Sequence, residues 1–224
     1  SEGMVVLDAI HQIQARHAND LAVRWNCKAG KCGSCSAEVN GKPRLMCMTR
    51  MDELPLDEPV RIEPMKRFPH MRDLVTYVSW NYEINKRIRP LTPKPREADG
   101  TYRMMQEDID RIKELHKCIE CFLCQNVCHV MRDQQVKEFA GPRFLIRIAS
   151  LAMHPLDTLN RLKDLKDVFG IGFCNITKCC TEVCPEHIRI TDNGIIPLKE
   201  RVAGAFYDPL AWIWRSITGS QKKS

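Results

Sequence analysis

No stretch of this chain approaches the ~20 consecutive apolar residues that a membrane-spanning helix requires. The chain is therefore expected not to cross a membrane itself. It also has no Rossmann glycine fingerprint, no P-loop, no flavin attachment site and no nucleophile elbow. Those absences exclude unaided dinucleotide, nucleotide or acyl-transfer chemistry. The opening residues show no charged n-region followed by an apolar h-region, so a secretory disulfide framework is not the expected reading of its cysteines. No motif supports nucleic-acid binding.

The chain does have twelve cysteines in 224 residues. Spaced thiols in a chain long enough to build an ordinary core point to metal. The first set is Cys27-x4-Cys32-x2-Cys35 with Cys47 beyond it, the plant-type order that holds 2Fe-2S. Gly30 and Gly33 let its backbone fold tightly and turn N–H groups toward sulfur. Two further runs, Cys118-x2-Cys121-x2-Cys124-x3-Cys128 and Cys174-x5-Cys180-x3-Cys184-Pro185, follow the two-cluster ferredoxin pattern, except that Thr177 stands where the second run wants a cysteine. In such runs the fourth cysteine ligates the other cluster. Cys118, Cys121, Cys124 and Cys184 are thus expected to share a 4Fe-4S cluster, and Cys128, Cys174 and Cys180 a 3Fe-4S cluster, because a threonine hydroxyl is a far poorer iron ligand than a thiolate. Cys179 is left over, most simply a spectator thiol, with a fourth ligand as the alternative. A zinc-binding interaction module is the rival from another class, since paired C-x2-C units also make structural zinc sites. The three-residue offsets, Pro185 and the third set's different spacing weigh against it.

Along the chain, Val5, Leu7, Ile10 and Ile13 predict a helix closing before Asn19-Asp20, and Leu21 to Asn26 a strand-like lead into the first set. Asn40-Gly41 predicts a hairpin turn between Ser36 to Val39 and Arg44 to Cys47. Leu74, Val75, Val78 and Tyr82 lie at helical spacing over Met71 to Lys86, and the prolines at 90, 93 and 95 then impose an extended arm. Helices are also predicted over Gln106 to Lys117, from Pro142 with Phe144, Leu145, Ile148 and Leu151 inward, and from Pro155 with Leu156, Leu159, Leu162 and Leu165. Net charge is +6, and Arg61 to Arg103 holds ten Lys or Arg against five Asp or Glu. Such a segment reads as a solvated face, or as a docking surface for an acidic partner or anionic headgroups. Trp212 and Trp214 in the apolar tail suit a membrane interface or a helix capping its own domain.

Trp25 to Cys47, Arg61 to Val75 and the paired cysteine runs resemble the iron-sulfur subunit of succinate dehydrogenase and its fumarate reductase relatives, over nearly the whole chain. The resemblance implies an α+β architecture. A plant-type 2Fe-2S ferredoxin domain of β-grasp type over residues 1–70 precedes an all-α two-cluster ferredoxin domain over 71–224, with a linker arm at about 87–101. The family's opening β-hairpin is absent before the first helix, so the ferredoxin sheet is expected to lack its first strands and the chain given to be a trimmed one.

The resemblance further implies that this chain binds neither succinate nor FAD. An FAD-containing flavoprotein partner oxidises succinate to fumarate, electrons pass through 2Fe-2S, 4Fe-4S and 3Fe-4S, and a membrane-anchor subunit receives them at a quinone near the 3Fe-4S cluster. It places the complex peripherally on the cytoplasmic face of a bacterial plasma membrane, with the mitochondrial inner membrane second. A fumarate reductase running the reverse reaction has the same architecture. One departure concerns the quinone. In the family a Pro and a Trp follow the cysteine matching Cys128, and a His follows the one matching Cys174; here those places hold His129-Val-Met-Arg132 and Asn175. His129 and His187 lie close to cysteines and could tune a cluster or pass a proton.

Overall fold

A computed structural model describes residues 3–55 and 57–208. Its helices are α1 (Val6–Arg16), α2 (Ser79–Lys86), α3 (Gln106–Lys113), α4 (Leu123–Val127), α5 (His129–Arg132), α6 (Pro142–Ala152), α7 (Leu162–Asp167), α8 (Cys179–Glu182) and α9 (Ile196–Phe206). Its strands are β1 (Ser36–Val39), β2 (Lys42–Leu45), β3 (Ile62–Glu63), β4 (His70–Arg72) and β5 (Val75–Thr76). The Trp212 and Trp214 tail lies outside the described residues. Among the described residues no helix is long and apolar enough to cross a membrane. The described residues form two compact units, one within Ser1–Glu83, Cys118–Gln135 and Cys179–Ile188, the other within Ile84–Lys117, Val136–Lys178 and Arg189–Ser224.

In the first unit Asn40 and Gly41, at φ +48° and +73°, make the two-residue turn that their side chains favour. The hairpin this turn closes pairs Ser36 with Leu45 and Val39 with Lys42, and β3 joins its other edge to give the order β2-β1-β3. Helix α1 buries Val6, Leu7 and Ile10 in one cluster with Ala37, Val39, Leu45 and Met46. Its start is fastened by partners for otherwise orphaned amides: Val6 donates to Thr49 O at 2.9 Å, Leu7 to Met46 O at 3.1 Å, and Val5 to the Asp8 carboxylate at 3.2 Å. Helix and sheet are thereby fixed beside Cys47. Cys121 and Leu123 of α4 belong to the same buried cluster, so the sheet is covered by the second cysteine run as well as by α1.

Two expectations fail in this unit. Residues 71–78 do not begin a helix; β4 and β5 form a short hairpin there, and only 79–86 are helical. Asp73 takes φ +46° and its carboxylate accepts the Ala22 N–H at 2.7 Å, while Leu74 N–H donates to Ala22 O at 3.2 Å. A left-handed residue whose carboxylate and following amide are both bonded to Ala22 cannot continue a helix. The same contacts explain why Leu21 to Asn26 has no strand partner and runs as irregular chain.

The second unit is helical. Helix α3 continues into a 3-10 turn at Glu114–Lys117 that packs with α6. Helix α6 begins with Pro142 in its first turn, where its missing N–H costs nothing. Phe144, Leu145, Ile146, Ile148 and Ala149 are almost fully buried, each large side chain contributing about 1.5–3 kcal/mol. That face meets a π-helical turn at Ile190–Ile195 leading into α9, which buries Leu198, Val202 and Ala205. Periodicity predicts neither element, because Gly194 and Pro197 interrupt the pattern.

The helix expected from Pro155 starts only at Leu162. Residues 156–161 instead hold the proline arm. Lys94 N–H donates to Leu156 O at 2.9 Å, Thr92 N–H to the Asp157 carboxylate at 3.0 Å, and Thr158 N–H to Thr92 O at 2.9 Å. Arg161, paired with Asp157 at 2.7 Å in a nearly buried ion pair, also donates to the carbonyls of Arg89 and Pro90. Backbone groups that serve the arm are not available to a helix.

Candidate functional site

The Cys27 to Cys35 loop carries three left-handed residues, Lys28, Gly30 and Gly33. This curvature turns amides inward. Ala29 N and Lys31 N each lie 3.3 Å from Cys27 Sγ, and Ser34 N lies 3.5 Å from Cys32 Sγ. Burial opposes ionisation of Cys32, yet hydrogen bonds from Ser34 and Cys27 bring its thiol down to about 6. Cys35 is the reverse: burial pushes it up to about 12, only partly offset by the Cys47 amide. Cys35 and Cys47 are buried and Cys27 is exposed.

In the second run Glu120 and Phe122 both take positive φ, +58° and +62°, on either side of Cys121. Cys121 is pushed up to about 12 by burial, with the Cys118 and Cys184 charges adding. Burial likewise pushes the Cys124 thiol well above its ordinary value, with the charges of Cys121, Cys118, Cys180 and Cys184 adding. Burial also raises Cys184, although the Ile188 amide donates to its sulfur at 3.4 Å. The structure therefore brings Cys118, Cys121, Cys124 and Cys184 within electrostatic reach of one another, with α4 packed beside α8. Of the third expected set, Cys128 and Cys180 lie in the first unit and Cys174 in the second. Thr177 stands between Ile176 and Lys178, both at positive φ, as Glu120 and Phe122 flank Cys121 in the first run.

Among the described residues no three Cys, His, Asp or Glu side chains converge closely enough to hold a single metal ion. The first two donor sets nevertheless fit iron-sulfur clusters on chemical grounds. Buried thiols with raised pKa values ionise only beside a cation, and iron supplies that charge. Backbone amides aimed at Cys27, Cys32 and Cys184 sulfur are the hydrogen bonds that stabilise clustered thiolate.

Residues that spacing did not reveal complete the surroundings. Glu38, on β1, is fully buried; its Oε1 accepts from Asn126 Nδ2 at 3.0 Å and Arg132 Nη1 at 3.1 Å, and Lys66 Nζ lies 3.0 Å from Oε2. It joins the sheet to the segment that carries Cys124 and Cys128. Alternation along β1 would have marked Glu38 as a solvent-facing position, since nothing local to the strand announces that α4 covers it. In the second unit, Lys199 of α9 donates to the Cys174 carbonyl at 2.5 Å.

Comparison with known proteins agrees with this chemistry. The family described as 2Fe-2S iron-sulfur cluster binding domain matches residues 1–82, and the 4Fe-4S dicluster domain matches residues 114–188. A chain of the Mycobacterium smegmatis Sdh1 complex in the apo form is 63% identical, with a TM-score of 0.90, over 94% of this chain and 89% of that one. The succinate dehydrogenase iron-sulfur subunit of Bacillus subtilis is 31% identical over 84% of this chain and 78% of its own length. A chain of the fumarate reductase (CoM/CoB) of Methanothermobacter marburgensis is 33% identical over 88% of this chain and 38% of its own length. The chain thus spans about two-fifths of the length of the methanogen relatives it matches. With an α+β fold, a 2Fe-2S domain and a 4Fe-4S dicluster domain in that order, the chain belongs to the iron-sulfur subunit family of succinate dehydrogenases and fumarate reductases.

Proposed function

We propose that the chain is the electron-transfer subunit of a succinate dehydrogenase, linking an FAD-containing flavoprotein subunit to a membrane anchor and its quinone. The observation that carries this reading is the set of eleven cysteines in three ferredoxin spacings, on a chain 63% identical to one from an Sdh1 complex. In it, Cys27, Cys32, Cys35 and Cys47 hold 2Fe-2S; Cys118, Cys121, Cys124 and Cys184 hold 4Fe-4S; and Cys128, Cys174 and Cys180 hold 3Fe-4S. Such clusters, when bound, accept and release single electrons at potentials set by cluster type, charge and hydrogen bonds to sulfur. The protein's own part is to donate the amides of Ala29, Lys31, Ser34 and Ile188 to sulfur, to bury Cys35, Cys121 and Cys124 away from water, and to withhold a thiolate at Thr177. The complex would then sit on the cytoplasmic face of a bacterial plasma membrane.

Fumarate reduction is the second reading, favoured by relatives whose names carry that activity. Co-purification from native membranes, followed by succinate:quinone and fumarate assays in both directions, tests the proposal. A flavoprotein and a membrane subunit should accompany the chain, and succinate oxidation should exceed fumarate reduction. A chain that purifies alone with zinc overturns it.

A further inference from the structure

The loop of the first cysteine set and the loop of the second touch directly. Gly33, between Cys32 and Cys35, has φ +68°, and a Cβ placed on it would lie 2.6 Å from Cys121 Cα and 2.8 Å from Cys121 Cβ. Real carbon atoms do not approach so closely, so any side chain at 33 would force these loops apart. Beside this contact, Ser36 Oγ lies 2.8 Å from the Cys121 carbonyl oxygen in a buried position and 2.9 Å from the Gly33 carbonyl oxygen. Its single proton serves one or both carbonyls. Lys31 of the first loop also pairs with Glu186, two residues after Cys184, at 3.0 Å. The Cys121 loop is held in a demanding shape, with left-handed residues on both sides, which persists only where surrounding contacts over-determine it.

We propose that Gly33 and Ser36 are positioning residues for electron passage between the first and second cysteine sets. This rests on the ligand assignment proposed above. Tunnelling falls exponentially with distance and prefers covalent and hydrogen-bonded atoms to gaps. From Cys35 the covalent chain leads straight into Ser36, whose hydroxyl touches the carbonyl of Cys121, itself an expected ligand of the second set. Gly33 removes the gap and Ser36 bridges what remains. With both clusters bound, the single electron given up at the first set would be the one taken up at the second; no proton would move and no bond would break.

The test uses the whole complex carrying Ser36→Ala, Ser36→Thr or Gly33→Ala. Iron and sulfide content and each cluster's potential are measured first, then magnetic coupling between the two reduced clusters and the rate of intercluster transfer after flash reduction. Ser36→Ala should retain both clusters and their potentials but transfer more slowly, and Ser36→Thr, which restores the hydroxyl, should recover the rate. Gly33→Ala should weaken the magnetic coupling as the loops separate; if that variant fails to assemble, the serine pair alone decides. A wild-type rate in Ser36→Ala, or a slowed rate that Ser36→Thr does not recover, overturns the inference. Wild-type complex lacking either cluster's signal overturns the ligand assignment instead, so the two failures are distinct.

Discussion

Removing the cations around Glu38 should cost more than removing Glu38 itself, and the difference follows from which groups can reach water. Glu38 is 0% exposed, while the side chains of Arg132 and Lys66 are 31% and 42% exposed. In Glu38→Gln both cations can turn outward and resolvate, and the amide oxygen can still accept from Asn126. The loss is then that of one weakened buried hydrogen-bond set, about 1–3 kcal/mol. In Arg132→Met with Lys66→Met the carboxylate stays buried with Asn126 as its remaining donor in the network. Breaking a buried pair in that direction costs about 3–5 kcal/mol. With a urea slope of about 2 kcal/mol per molar, the first variant should move the unfolding midpoint by about 0.5–1.5 M and the second by about 1.5–2.5 M. Far-UV dichroism and visible bleaching, followed anaerobically in parallel, report backbone and cysteine environment respectively. Equal shifts in the two variants, or a larger one in Glu38→Gln, would refute the view that the buried carboxylate needs these cations to hold α4 on the sheet.

Thr177→Cys should supply the thiolate missing from the second run and convert the proposed 3Fe-4S cluster to 4Fe-4S, seen as a gain in iron per chain and a lower potential at that site; unchanged iron and potential would count against Thr177 as the cause. Gly170→Ala should be strongly destabilising in thermal melts, because a Cβ there would lie 2.3 Å from the Glu138 carbonyl oxygen at φ +59°, costing more than ~1 kcal/mol of backbone strain alone; a wild-type melting temperature would contradict the close approach. Burial pushes the Glu114 carboxyl up, but the Arg189 amide at 2.7 Å and the Asn193 amide, with the Arg189 charge, bring it below its ordinary value. A depressed folded pKa gives stability that is present above the ordinary glutamate pKa and lost as pH falls through the folded one. The acid-side decline in stability should therefore be shallower in Glu114→Gln than in wild type, and identical slopes would remove Glu114 from the account.

The parts of the fold legible in the sequence are those where one local rule acts alone. Asn40-Gly41 specifies its turn, Pro142 and the stripe from Phe144 to Leu151 specify α6, and cysteine spacing specifies which loops curl inward. Where a distant partner competes, local reading fails. The helical spacing after Met71 yields to Asp73, whose carboxylate is engaged by Ala22. The helix expected from Pro155 yields to an arm held through Asp157 and Arg161. At the candidate site the thiols themselves are visible as a pattern, but Glu38 and Ser36 are ordinary strand residues until the second cysteine run is laid against them. Their signal is three-dimensional, not periodic.

Electron paramagnetic resonance on anaerobically purified complex in two redox states decides whether the chain holds the three iron-sulfur clusters of different kinds proposed for it. Oxidised 2Fe-2S and 4Fe-4S clusters are silent, so the oxidised sample should show one paramagnetic species, from 3Fe-4S, and the signals of reduced 2Fe-2S and reduced 4Fe-4S should appear on reduction. An oxidised sample with no signal, together with fewer than three distinguishable clusters on full reduction, would contradict it.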